Sequence, residues 1–227
     1  MHRFRLRPIE SGGAFFTECP AHVLLGISPW NGRYKTAYIE ELVGWACSRF
    51  PQVDIMIPGY EAAHTLVAAG RSPDSAVKRA KRSVNQLRNP AERALRHAGV
   101  SDPAGHVHAW TRLLSNAPYA SRLAEVHRAY RHDPAVRAAC RETARAALAH
   151  AGCVDPSEAA LDRAVSYPLA ELPLTLHSPV IFGVPSSLFL YHREMELLRP
   201  FLTGTAHTLR PSTGQGYAIV EPIGAER

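Results

Sequence analysis

HVLLGISPWNGRYKTAYIEELVGWACSRFPQVDIMIP, residues 22–58, decides the fold class. HVLLGIS and VDIMIP are short apolar runs with no polar alternation, the pattern of strands buried on both faces. Between them, Tyr34, Tyr38, Leu42 and Trp45 recur at helical spacing. Strand, helix, strand is the unit of a parallel α/β sheet, because a parallel neighbour needs a crossover. The first run ends on Gly26-Ile27-Ser28 and a glycine-bearing turn. Ligands in such sheets sit beyond the carboxyl ends of the strands, where Ser28 lies. Gly26 would let a substrate approach the backbone.

The pattern continues on either side. EAAHTLVAAG reads as a short helix ending at Gly70. A longer helix opens with Ser72 as cap, Pro73 at its first position and Asp74 near the dipole's positive end, and Gly99 ends it. Its apolar face is Ala76, Val77, Ala80, Val84, Leu87, Ala91 and Leu95, and Pro90 should kink or break it. HVHAW, residues 106–110, reads as a strand. A helix follows over PYASRLAEVHRAYRH, then one capped by Asp133 and stopped by Gly152. A further helix starts at Asp155 and turns irregular at Pro168 and Pro173. PVIFGVPSSLFLYH reads as two strands around Pro185, REMELLRPFL as a short helix and GYAIVEP as a last strand. No repeat or linker interrupts the 227 residues, so residues 1–227 are taken as a single α/β domain, with helices on both faces of a parallel sheet.

Composition narrows the class of function. No apolar run approaches the roughly 20 residues that span a bilayer, so no membrane partner is expected. MHRFRLRPIESGG lacks the apolar centre of a secretory signal. Cys19, Cys47, Cys140 and Cys153 are scattered without a C-x-x-C pair, which fits a reduced, cytoplasmic protein. His106 and His108 lack an evident third ligand, so no metal is expected. The net charge is +6, and the eight basic and two acidic residues of segment 71–96 alone account for +6. Lys78, Arg79, Lys81, Arg82, Arg88, Arg93 and Arg96 fall opposite the apolar face. That is the footprint of a polyanion such as nucleic acid.

Candidate chemistry gathers at three places. Ser28 is one, although position 30 is tryptophan, so the G-x-S-x-G elbow of α/β-hydrolases is missing. SYPLAELPL places Tyr167 and Glu171 four residues apart, on one face if helical. A phenol beside a carboxylate can hold an ammonium group or relay a proton. Tyr191 and His192 end another apolar run. No G-x-G-x-x-G or P-loop sequence is present.

LLGISPWN, HTLVAAGRSPDSAVKRAKRSVNQLR, PYASRLAEVHRAYRHDPAV, YPLAELPL and VPSSLFLYH, in this order, resemble the cyclodipeptide synthases, from about Leu24 to Pro222. Asn31, Tyr191 and His192 resemble the subgroup marked by Asn, Tyr and His. The resemblance implies a Rossmann-like fold similar to the catalytic domain of tyrosyl- and tryptophanyl-tRNA synthetases. It implies two aminoacyl-tRNAs as substrates, a cyclic dipeptide as product, and neither ATP nor metal as cofactor. Ser28 would carry the aminoacyl group, and Tyr167 and Glu171 would hold its amine, with Tyr119 nearby. Tyr191 would orient Ser28, Gly26 and Asn31 would shape the site, and His192 would support it. Leu24, Met56, Trp110 and Leu174 would line an apolar first pocket, with Phe189 bordering the second. Lys78, Arg79, Lys81, Arg82 and Arg88 would grip tRNA. Asn89-Pro90 departs from relatives that continue an arginine run there. The protein is expected to be a monomer or homodimer. The rival readings are a serine hydrolase using Ser28, which needs a histidine base, and a non-catalytic RNA-binding module.

Overall fold

The computed structural model describes residues 3–9 and 20–224. Cys19, and residues 1–2 and 10–13 of the MHRFRLRPIESGG segment, lie outside them. Six strands form one sheet: β1 Arg3–Pro8, β2 His22–Gly26, β3 Val53–Ile57, β4 Val107–Ala109, β5 Ser187–Tyr191 and β6 Gln215–Ile223. Their order is β1-β6-β5-β2-β3-β4, with β2 at an interior position. Every neighbouring pair is parallel except β1 and β6, which are antiparallel. The sheet is therefore mixed rather than wholly parallel. RFRLRP alternates charged and apolar residues, as suits a strand at a sheet edge with water on one side.

Helices cover both faces, as expected. Period-2 alternation sends Val23, Leu25, Ile55, Ile57, Leu188 and Leu190 into one core. Helices α1 Thr36–Arg49 and α3 Pro73–His97 close over that face. Leu24, Met56, Phe189 and Tyr217 point the other way, into a core closed by α5 Ala117–His132, α6 Pro134–His150, α7 Glu158–Ala164 and α8 Ser166–Phe182. The remaining short helices are α2 Glu61–Ala68, α4 Trp110–Leu113 and α9 Arg199–Leu202.

Several local expectations are corrected by tertiary context. Helix α3 runs unbroken through Pro90, which is buried. The missing bond would have gone to the carbonyl of Gln86, an exposed residue, and Leu87, Ala91, Ala94 and Leu95 are held in a core on either side. Val77 is 45 % exposed rather than buried. Ser72 makes no capping hydrogen bond. Helix α7 is capped by Ser157, not Asp155. Helix α8 continues through Pro168 and Pro173 and departs from helical geometry at His177. Of the two runs around Pro185, only the second is a strand, because residues 179–182 finish α8. The strand in HVHAW spans only Val107–Ala109. REMELLRPFL divides into a 3₁₀ turn and α9. Asp133 does cap α6, accepting from the N–H groups of Ala135 and Val136.

A polar belt crosses the amino ends of four strands. Asp54 on β3 accepts hydrogen bonds from His22 at 3.0 Å and Gln52 at 2.9 Å on one oxygen. Its other oxygen accepts from His106 at 3.1 Å and His108 at 2.6 Å. The other nitrogen of His22 meets the Ser187 hydroxyl at 2.7 Å. Burial alone would raise the Asp54 carboxyl, but the hydrogen bonds from His108, His22 and Gln52 outweigh it and hold the group well below its ordinary range.

Candidate active site

The carboxyl end of the same sheet gathers the residues expected to react. Backbone pairing continues one residue past β2, where the Ile27 N–H donates to the Met56 carbonyl. Ser28 then leaves the sheet half-buried. Trp30 has φ +57°, the conformation a tight turn demands two residues after Ser28. For a tryptophan this costs roughly 1 kcal/mol. On β5, the Tyr191 hydroxyl donates to Ser28 Oγ at 2.9 Å. A phenol, and not a histidine, is therefore the group bonded to this serine.

The Ser28 turn is fixed by a directed chain of hydrogen bonds. The Asn31 carboxamide oxygen accepts from the Arg33 N–H, which leaves its NH₂ to donate to His192 Nε2 at 3.1 Å. His192 Nδ1 then donates to the Tyr34 oxygen at 3.1 Å, and the Tyr34 hydroxyl donates to the Gly26 carbonyl at 2.9 Å. This order requires neutral His192. Burial, with Arg193 and Arg33 nearby, pushes its imidazole down to about 4. His192 is thus committed to the turn and is no base for Ser28.

Packing also requires a glycine at position 26. A Cβ there would stand 2.9 Å from the Phe189 ring and 3.1 Å from the Tyr191 ring. The missing side chain makes room for these two rings, which stack with centroids 6.3 Å apart. Phe189 pairs in register with Leu24 and packs in one buried cluster with Leu24, Met56, Trp110 and Leu174.

Tyr167 and Glu171 sit one turn apart on α8, and the Tyr167 ring meets the Trp110 ring edge-on at 4.7 Å. Glu171 is 8 % exposed, and its carboxyl group has no hydrogen bond among the described residues. Burial pushes it up to about 8, so in the free protein it is mostly protonated at neutral pH. Burial, then the charges of Glu171, Tyr191 and Glu61, raise the Tyr167 phenol well above its usual value. Burial, opposed by the Ser28 hydrogen bond, pushes Tyr191 up to about 12. Tyr119 is fully buried and its hydroxyl donates to the Ala170 carbonyl at 2.9 Å, which fixes α5 against α8. Sequence reasoning missed Tyr34 and Glu61. Tyr34 entered only as a helix-face aromatic, although its place six residues after Ser28 could have drawn notice.

Lys78, Arg79 and Arg82 are exposed and line an open concavity of about 470 Å³ with Arg71 and Asp74. Lys81 is exposed too, but Arg88 is only 16 % exposed, not on the outward face. Arg93 is engaged with Glu40. A Ser–His–Asp chain does exist in Ser187, His22 and Asp54, but its members are at most 2 % exposed, at the far end of the sheet from Ser28. Among the described residues no cluster is arranged to hold a metal ion, and no helix is long and apolar enough to cross a membrane.

Fold and site together define a Rossmann-like α/β protein that presents a phenol-bonded serine at the carboxyl edge of its sheet. The family model described as cyclodipeptide synthase matches residues 4–222. A cyclo(L-leucyl-L-leucyl) synthase of Bacillus subtilis is 34% identical over 209 residues, covering 89% of this chain and 83% of the relative. A cyclodipeptide synthase structure from Bacillus thermoamylovorans superposes with a TM-score of 0.89 at 26% identity, covering 97% of each chain. A Mycobacterium tuberculosis protein, described as demonstrating that cyclodipeptide synthetases are related to type I tRNA-synthetases, superposes with a TM-score of 0.81 at 29% identity, covering 96% of this chain and 93% of that one. The chain belongs to the cyclodipeptide synthase family and is a tRNA-dependent aminoacyltransferase. Neither a serine hydrolase nor a non-catalytic RNA-binding module is favoured.

Proposed function

We propose that Ser28 carries both covalent intermediates of cyclic dipeptide synthesis, and that residues 1–227 act as one catalytic domain. The hydrogen bond from Tyr191 to Ser28 Oγ, at the carboxyl edge of the sheet and in a chain of this family, is the observation behind this reading. Ser28 Oγ attacks the carbonyl carbon of the first aminoacyl-tRNA. The ester to the ribose breaks, and the serine proton leaves with the ribose oxygen. One ester replaces another, so ATP is not required for activation. The amine of the aminoacyl-enzyme next attacks a second aminoacyl-tRNA, forming the peptide bond and releasing the second tRNA. Finally the dipeptide's own amine attacks the Ser28 ester, closing the ring and returning a proton to Ser28. This step is intramolecular, so a folded-back dipeptide supplies much of its rate.

In this scheme Tyr167 and Glu171 hold the α-amino group. A carboxyl group raised to about 8 by burial can ionise against an ammonium and take a proton back as the amine becomes the nucleophile. Tyr191 orients Ser28 and returns the proton at cyclisation. Asn31 and His192 hold the turn, which supports placing the chain in the Asn/Tyr/His subgroup. The buried cluster of Leu24, Met56, Trp110, Leu174 and Phe189 supports an apolar first amino acid, as does the leucine-joining relative. Lys78, Arg79, Lys81 and Arg82 contact tRNA phosphates, in the cytoplasm where charged tRNAs are made. Incubation with a set of charged tRNAs, followed by mass spectrometry, tests the scheme. Cyclic dipeptides should form, and Ser28→Ala should lower their yield by at least about 10³-fold. Equal yields from Ser28→Ala would remove the covalent route.

A further inference from the structure

A second cationic recess lies beside the reactive edge. It is a cavity of about 210 Å³ between α3 and the carboxyl ends of β3 and β4, lined by Tyr60, Lys81, Asn85, Arg88, Thr111 and Arg112, among others. Its walls are fixed before any ligand arrives. Thr111 Oγ1 accepts from the Tyr60 N–H at 2.9 Å and donates to the Glu61 carboxylate at 3.2 Å. A side chain at Gly59 would collide with both Thr111 and Glu61.

The charges in the recess are incompletely neutralised. Arg88 Nε is buried and has no hydrogen-bond partner, and Glu92 stands 3.8 Å away. Burial, then the charge of Arg112, lowers the Arg88 guanidinium from its usual value. Arg112 is exposed and has no ion-pair partner among the described residues. Glu92 answers part of the Arg88 charge at 3.8 Å, and Arg112 facing the same cavity leaves a net positive seat that an added anion would neutralise. The tyrosine at the rim, 48 % exposed, offers a flat ring to a base.

Position selects the anion. The recess opens past the carboxyl ends of β3 and β4, on the same edge of the sheet as Ser28, and β3 is the direct neighbour of the strand that carries Ser28. A tRNA acylated at its terminal ribose brings the neighbouring phosphates to that edge. The volume suits a phosphodiester with part of a ribose, and is below the roughly 300 Å³ of a site for a whole drug-sized ligand. We propose that Arg112 and Arg88, with Lys81 and the Tyr60 ring, seat the single-stranded 3′ end of the aminoacyl-tRNA. Arg112, Arg88 and Tyr60 lie off the outward basic face of α3, and Lys81 stands where the two surfaces meet. The proposal rests on the aminoacyl-tRNA reading above.

Two measurements test it. For cyclic dipeptide formation, Arg112→Ala should raise KM for aminoacyl-tRNA about tenfold. It should also flatten the dependence of log(kcat/KM) on log salt by about 0.7, the loss of one single-strand phosphate contact. Tyr60→Ala should raise KM several-fold, while Tyr60→Phe keeps the ring and stays near wild type. In a direct assay, a fluorescent 5′-CCA-3′ trinucleotide should bind the wild type and bind Arg112→Ala at least tenfold more weakly. Arg82→Ala, on the outer face, should leave trinucleotide binding as it was. An unchanged KM, salt slope and trinucleotide affinity in Arg112→Ala would overturn the proposal. So would inorganic phosphate displacing the trinucleotide at equal concentration, since the seat would then take free phosphate. A fall of several degrees in Tm for Arg112→Ala would also count against it, because removing a charge beside Arg88 should not destabilise the fold. Failure of the wild type to make any cyclic dipeptide is a separate outcome, and strikes the functional reading instead.

Discussion

The two ends of the same strands carry the same kinds of side chain in opposite states. At the amino end, Ser187, His22 and Asp54 form a closed set in which the carboxylate accepts four hydrogen bonds. At the carboxyl end, Ser28 has a phenol for a partner, and Glu171 is buried with no hydrogen bond to its carboxyl group among the described residues. Donors drive the first acid far down, and burial drives the second up to about 8. A saturated network has nothing left to offer a substrate, so it stabilises. An unsaturated one stores an electrostatic cost that a bound ammonium relieves.

The contrast can be broken at either end. Asp54→Ala should have the largest effect on stability, because it orphans His22 and His108 in the interior. A loss of about 3–5 kcal/mol is expected, read as a drop of roughly 10 °C in Tm. A variant that melts like the wild type would mean that the belt contributes no stability.

Glu171→Gln should act in the opposite direction. The Glu171 carboxyl has a folded value of about 8 against 4.5 for the free side chain. Between those limits the native state binds the extra proton, so the wild type loses stability as pH rises from about 4.5 through 8. Glutamine removes that loss. The variant should match the wild type near pH 5 and exceed it at pH 9 by on the order of 2–4 kcal/mol, measured by denaturant titration. Parallel stability curves for the two proteins would show that Glu171 is not under this strain.

Asn31→Ala should have the smallest effect, about 1 kcal/mol at pH 7, mainly from the lost hydrogen bond to His192, because the Arg33 N–H it also frees is exposed to water. The deficit should shrink on acidification. The folded value of His192 lies below its unfolded one, so the wild type loses stability as pH falls from about 6.5 towards 4. Without the Asn31 donor, protonation of His192 costs less. A deficit that grows on acidification would contradict the neutral tautomer assigned above.

Much of this was legible in the chain. Uninterrupted apolar runs marked β2 and β3, and punctuation by Gly, Pro and Asp marked most helix ends. The i, i+4 spacing put Tyr167 and Glu171 together, and position at a strand end singled out Ser28. What was illegible depended on distant neighbours. Residues 3–8 form a strand because β6 lies beside them. Pro90 sits inside a helix because the flanking apolar face is held down. The role of Gly26 could not be read without Phe189 and Tyr191, more than 160 residues away, whose rings occupy the space a side chain would fill.

The sequence by itself determined the central strands β2 and β3 and most of the helices, where the positive charge concentrates and which residues can react, because periodicity, caps and side-chain chemistry act over a few residues. Only the tertiary structure decided which polar groups are satisfied. It paired His22 with Asp54 and left the Glu171 carboxyl group without a hydrogen bond among the described residues. It also turned Arg88 inward beside Arg112. Solvation and hydrogen bonding are set by whatever the fold packs around a group, and those neighbours come from every part of the chain.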